Sequence, residues 1–117
     1  MICNSADIAI IPFPFVDRNK SKPRPAVVLS TRIFNKKNQH TIFSMITTGK
    51  NTIWPSDIII TSLKSTGLTS SSVIRFKIFT LDNRLIKKVI GKLSQQDQHQ
   101  LQRDLNQSMP MIFPVNS

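Results

Sequence analysis

Short β-branched runs, separated by prolines and polar turns, set the pattern of this chain. Asp7 to Pro12 reads Asp-Ile-Ala-Ile-Ile-Pro and predicts a first strand; Phe13-Pro14-Phe15 and the polar, basic stretch up to Pro23 predict a long connection. A second strand is expected over Pro25 to Thr31 and a third over Thr41 to Thr47, with the Asn-, Lys- and Gln-bearing segment Asn35 to His40 as the turn between them. A short fourth strand, Asp57 to Ile60, follows Trp54-Pro55, and Gly67 marks a turn before a fifth strand from Ser72 to about Phe79. Beyond a turn at Leu81-Asp82-Asn83, Lys88 to Leu93 reads as one more strand.

The C-terminal third then changes period. Ser94 with Asp97 three residues on has the form of a capping box, and Leu101, Leu105 and Met109 fall at i, i+4 and i+8 of the helix it opens. That stripe is expected to pack on the sheet, leaving a Gln-rich face in water. The predicted architecture is mainly β with a C-terminal helix: a small, strongly bent antiparallel sheet or partly open barrel, for which SH3-like and OB-type topologies both fit. A length of 117 residues with 39% hydrophobic content predicts one domain, residues 1–117, with a modest core that needs no disulfide.

Charge narrows the class of partner. The chain has 16 Lys plus Arg against 6 acidic residues, all Asp, for a net +10; residues 1–58 and 59–117 each carry 8 basic and 3 acidic side chains. The excess therefore belongs to the folded body and not to a tail, which is the electrostatic footprint of a protein that meets a polyanion. Cys3 is the only cysteine, no cationic segment followed by an apolar run opens the chain, and no apolar run approaches membrane-spanning length. The expected location is the cytoplasm, with no membrane contact.

Most catalytic chemistries find no support in the residues. His40 and His99 fall in a polar turn and on the Gln-rich helix with no third ligand at metal-binding spacing, there is no Glu, and there is no Gly-rich phosphate loop. No metal or other cofactor is expected. What remains are polar groups at strand ends: Arg24 in Lys22-Pro23-Arg24-Pro25, at the mouth of the apolar Ala26-Val27-Val28-Leu29-Ser30, and Thr47-Thr48 closing the third strand. A guanidinium holds two phosphate oxygens in a fixed fork and a threonine hydroxyl donates to a third, which together stabilise a phosphorane-like transition state by electrostatics. The competing reading makes Arg24 the ion-pair partner of Asp7 or Asp17 and the threonines mere β-formers. Composition leaves both open.

A set of ordered motifs adds to this. Ala6-Asp7-Ile8, Pro12-Phe13-Pro14-Phe15, Arg24-Pro25-Ala26-Val27-Val28-Leu29-Ser30, Met45-Ile46-Thr47-Thr48, Gly67-Leu68, Ser72-Val73-Ile74-Arg75 and Ile90-Gly91-Lys92-Leu93 occur in the order and spacing of the MazF/PemK-like toxins. The chain resembles that family over roughly residues 6 to 108. The resemblance implies a small SH3-like (CcdB/PemK-like) barrel that forms a homodimer. It implies a metal-independent endoribonuclease of a type II toxin-antitoxin pair, acting on single-stranded RNA through the substrate's own 2′-hydroxyl and held in check by an acidic antitoxin protein. Carried onto this sequence, the family's catalytic arginine and threonine are Arg24 and Thr47. The RNA contacts it implies are Phe13 (with Phe15 as an alternative, for stacking), Lys20, Lys22, Thr48, Lys50 and Ser72. Ala6 stands where the family usually has Gly, a change expected to touch only a turn. Two other readings compete: a CcdB-like gyrase-inhibiting toxin, although those rely on a C-terminal Trp and the only Trp here is Trp54, and a noncatalytic nucleic-acid-binding barrel.

Overall fold

The computed structural model describes residues 1–13, 22–48 and 53–110. Within them the chain runs β1 (Asp7–Pro12), β2 (Pro23–Val28), α1 (Arg32–Asn38), β3 (His40–Thr47), β4 (Ile58–Ile59) and β5 (Val73–Asp82). A 3-10 turn (Asn83–Leu85), β6 (Lys88–Lys92) and α2 (Gln95–Ser108) follow. The six strands form one antiparallel sheet in the order β4-β5-β3-β2-β1-β6, a half-barrel closed at one side by α2. Among the described residues no helix is long and apolar enough to cross a membrane.

Strand alternation sends side chains to two apolar clusters, one on each face of the sheet. Ile11, Phe13, Ala26, Val28, Phe43, Phe79 and Leu81 fill one, and Ile8, Val27, Ile46, Ile58 and Ile74 meet Leu93 and Leu101 in the other. Leu101 is buried and Leu105 packs beside it, but Met109, the third residue of the expected stripe, is the helix C-cap and is 51% exposed. The helix has ended before its stripe does.

Three local features correct or refine the sequence reading. Asn35 to Asn38, expected as a turn, lies in α1. Thr31 caps that helix by accepting from the Phe34 N–H, and Asn35 is fully buried, donating to the Cys3 carbonyl while its own carbonyl accepts from Asn83 Nδ2. A seven-residue polar helix without an apolar stripe is stable only through such contacts. Ser94 does cap α2, accepting from the Asp97 N–H at 3.1 Å, but the Asp97 carboxylate turns away from the cap to accept from Thr61 N–H, Thr61 Oγ1 and Ser62 N–H. Burial alone raises its pKa; those hydrogen bonds outweigh burial and hold it below the ordinary value. Ala6 sits at φ 71, in the left-handed region that favours glycine, fixed by hydrogen bonds to Val28 and Leu93.

The segment between β4 and β5 is held against β6. Gly67 has φ +76, and a Cβ there would lie 2.3 Å from the Ile90 carbonyl oxygen. Only glycine permits this approach, and it fixes the loop that carries Leu68 to Ser72 over the ends of β2 and β3.

Candidate active site

At the start of β2 and the end of β3 the register brings the two strand-end residues together. Ala26 pairs with Met45 and Val28 with Phe43, so continuing the ladder sets Arg24 opposite Thr47. Both line a cavity of about 230 Å³ whose wall also includes Pro25, Thr48, Ser70 and Ser72. The 67–72 loop pinned by Gly67 supplies the third side.

The electrostatics of this cavity set it apart from the rest of the molecule. Among the described residues, Arg24 Nε is the one buried side-chain nitrogen or oxygen left without a hydrogen-bond partner. A buried cationic donor in that condition costs stability, and its guanidinium belongs to a residue that lines the cavity. Its proposed ion-pair partner Asp7 is committed elsewhere, with Lys92 Nζ 3.4 Å away, and Asp17 lies outside the described residues. Thr47 is half-buried and Thr48 exposed, and neither hydroxyl has a hydrogen-bond partner among the described residues. The Ser72 hydroxyl donates to the Ser70 carbonyl at 2.9 Å, leaving its lone pairs and not its proton for a ligand.

The remaining sequence candidates divide. Lys22 is exposed just before β2 and does not line the cavity. Phe13 is 3% exposed and packs in the core, its ring meeting that of Phe79 edge-to-face at 5.5 Å. Lys20, Lys50 and Phe15 lie outside the described residues. His40 is exposed with Nδ1 3.0 Å from the Asn38 carbonyl, His99 is exposed on α2, and among the described residues no three His, Cys, Asp or Glu side chains cluster as a metal site would require.

A second group of polar residues beside the cavity escaped the sequence reading. Arg75 on β5 is 8% exposed and its guanidinium forks onto Asp57, Nε to Oδ1 at 3.0 Å and a terminal nitrogen to Oδ2 at 2.8 Å. The hydrogen bond from Arg75 holds the Asp57 carboxyl below its ordinary pKa, and the same bond raises that of Arg75. Trp54 lies on this pair, 5.3 Å from the guanidinium carbon. The available signal was the odd-numbered alternation of Val73, Arg75 and Lys77 along β5; the 18-residue separation of Asp57 and Arg75 gave no local cue.

A family model for the PemK-like, MazF-like toxins of type II toxin-antitoxin systems matches residues 4–109. The chain belongs to this toxin family. Solved structures of MazF proteins share its fold at low sequence identity. MazF in the MazE–MazF complex of Deinococcus radiodurans (Form III) superposes with a TM-score of 0.76 at 15% identity, covering 96% of this chain and 100% of that one. The Mycobacterium tuberculosis toxin MazF-mt6 gives 0.70 at 17% identity, over 92% and 99% of the two chains. A mycobacterial endoribonuclease solved with its cognate antitoxin gives 0.72 at 12%, over 97% and 98%. No curated protein is significantly similar by sequence.

Proposed function

We propose that this PemK-like, MazF-like chain is a metal-independent endoribonuclease that cuts single-stranded RNA, mRNA included, in the cytoplasm. The observation that carries the reading is that Arg24, whose buried Nε has no partner among the described residues, lines the same cavity as Thr47. Among the described residues the cavity is lined by a permanent cation and hydroxyls and by no carboxylate, which suits a phosphodiester and not a cationic ligand. In the reaction the substrate 2′-oxygen attacks the adjacent phosphorus, its proton passing to solvent. The P–O5′ bond breaks and the 5′-oxygen takes a proton back, leaving a 2′,3′-cyclic phosphate and a 5′-hydroxyl. Arg24 balances the charge that builds on the non-bridging oxygens, and Thr47 donates to one of them and holds the phosphorus in line. Pre-oriented donors of this kind, whose orphaned state is relieved only by the anion, lower the barrier by ~2.7–4 kcal/mol each where comparable donors have been deleted.

The net charge of +10 fits both an RNA strand and an acidic inhibitor. By analogy with the MazE–MazF and endoribonuclease–antitoxin complexes, the natural inhibitor is an antitoxin protein; the family resemblance adds that it is acidic and that the toxin it binds is a homodimer. The test is a gel assay of purified protein with a single-stranded RNA in excess chelator. Chelator-resistant cutting is expected; tight binding without cutting supports a noncatalytic barrel, and chelator-sensitive cutting removes the metal-free mechanism.

A further inference from the structure

Trp54 is the only tryptophan of the chain, and it belongs to neither apolar cluster. The largest apolar side chain available is instead set half-buried on two cations, the Arg75 guanidinium carbon at 5.3 Å and the Lys77 ammonium at 5.9 Å from its ring centroid. Its backbone is locked by a tight turn: the Trp54 N–H donates to Asp57 Oδ2 at 3.0 Å and the Asp57 N–H donates to the Trp54 carbonyl at 3.0 Å. Asp57 is in turn forked by Arg75, so turn, ion pair and ring form one unit. The indole N–H has no acceptor among the described residues.

This unit stands beside the Arg24 cavity and on the same side of the sheet. Thr47 pairs with Val73 and Met45 with Arg75, and opposed residues in an antiparallel pair share a face. Arg75 therefore lies one strand over and two residues along from Thr47, roughly 8 Å between backbones from strand spacing and rise. A nucleotide next to the one in the cavity spans that distance. Aromatic faces bind bases by stacking irrespective of sequence, and single-stranded nucleic acid is bound by pairing such faces with cations that track the backbone.

We infer that Trp54 is a stacking platform for the base flanking the scissile phosphate, with Lys77 contacting the phosphate on that nucleotide. The inference rests on the ribonuclease reading and adds to it a substrate-positioning residue outside the cavity. Because Trp54 is the sole indole, its fluorescence reports directly. The probe is the oligoribonucleotide found to be cleaved, made with 2′-O-methyl groups throughout so that it binds without reacting.

Saturable quenching of Trp54 is expected, along with a fall of about 10- to 100-fold in kcat/KM for Trp54→Ala, carried mainly by KM. Trp54→Phe, which keeps an aromatic face, should recover most of that loss and Trp54→Leu should not. Binding of the methylated oligonucleotide by anisotropy with unchanged fluorescence, or Trp54→Leu cutting as fast as Trp54→Phe, overturns the platform and leaves the ribonuclease reading standing. Wild-type protein that neither binds nor cuts RNA overturns both.

Discussion

Arg24 and Arg75 lie on neighbouring parts of one sheet face, two strands apart, and the molecule treats them in opposite ways. Arg75 is buried and its charge is spent within the protein: Asp57 takes two of its donors, Trp54 covers it, and its own carbonyl accepts from Ser44 Oγ. Arg24 is half-buried and lines a cavity, and its Nε has no partner among the described residues. A guanidinium with a built-in carboxylate partner organises structure, whereas one held without a partner is poised for an anion from outside. Both side chains carry the same permanent charge, and both are at least half-buried. The partner decides the role.

The largest effect that separates them is on stability. Asp57→Ala strips the Arg75 guanidinium of its counter-charge in a buried setting and should cost ~3–5 kcal/mol, read as a fall in the urea midpoint; a loss under ~1 kcal/mol would erase the distinction.

A smaller loss is expected at Asp97, the other buried carboxylate whose partners are internal. Asp97→Asn leaves the Thr61 and Ser62 N–H groups short of acceptors and should cost ~1–3 kcal/mol. Its pH signature has a definite sign. The folded-state pKa lies below the ordinary 3.8, so the unfolded chain binds the proton first. The stabilisation is complete above that ordinary value and is lost as pH falls through it toward the folded pKa. Asp57 has the same sign, so wild-type stability should drop on acidification below about pH 4 and Asp97→Asn should show a shallower drop.

The smallest effect is expected at Arg24. Among the described residues Arg24 Nε has no partner to lose, so Arg24→Ala should leave stability within ~1 kcal/mol of wild type, or slightly above it. Thermal unfolding of Arg24→Ala beside Asp57→Ala sharpens the comparison in a single experiment.

The sequence was informative where structure is local. Asp7–Pro12 has the predicted bounds because a β-branched run ended by proline needs no distant help, and Ser94 caps α2 as its spacing implies. It was silent where the determinant is distant. Helix α1 depends on Asn35 reaching Cys3 and Asn83, and the Asp57–Arg75–Trp54 unit joins a turn to a strand. Asp97 matched a capping box by spacing but serves Thr61 and Ser62, because buried backbone N–H groups of the loop made the stronger claim on it. The residue types of the candidate site were legible at Arg24 and Thr47 because strand ends concentrate them. That Arg24 Nε has no partner among the described residues, and that Phe13 packs in the core, are matters of packing that no spacing encodes.

If Arg24 supplies charge to a phosphorane and not to the fold, its removal should abolish cutting and spare the structure. This is tested most directly by incubating wild-type and Arg24→Ala protein with one end-labelled single-stranded RNA, in chelator, and identifying the product ends by mass spectrometry. Wild type is predicted to leave 2′,3′-cyclic phosphate and 5′-hydroxyl ends, while folded Arg24→Ala cuts at least 100-fold more slowly, the equivalent of ~2.7 kcal/mol of barrier. Cleavage by Arg24→Ala at the wild-type rate would remove Arg24 from the chemistry.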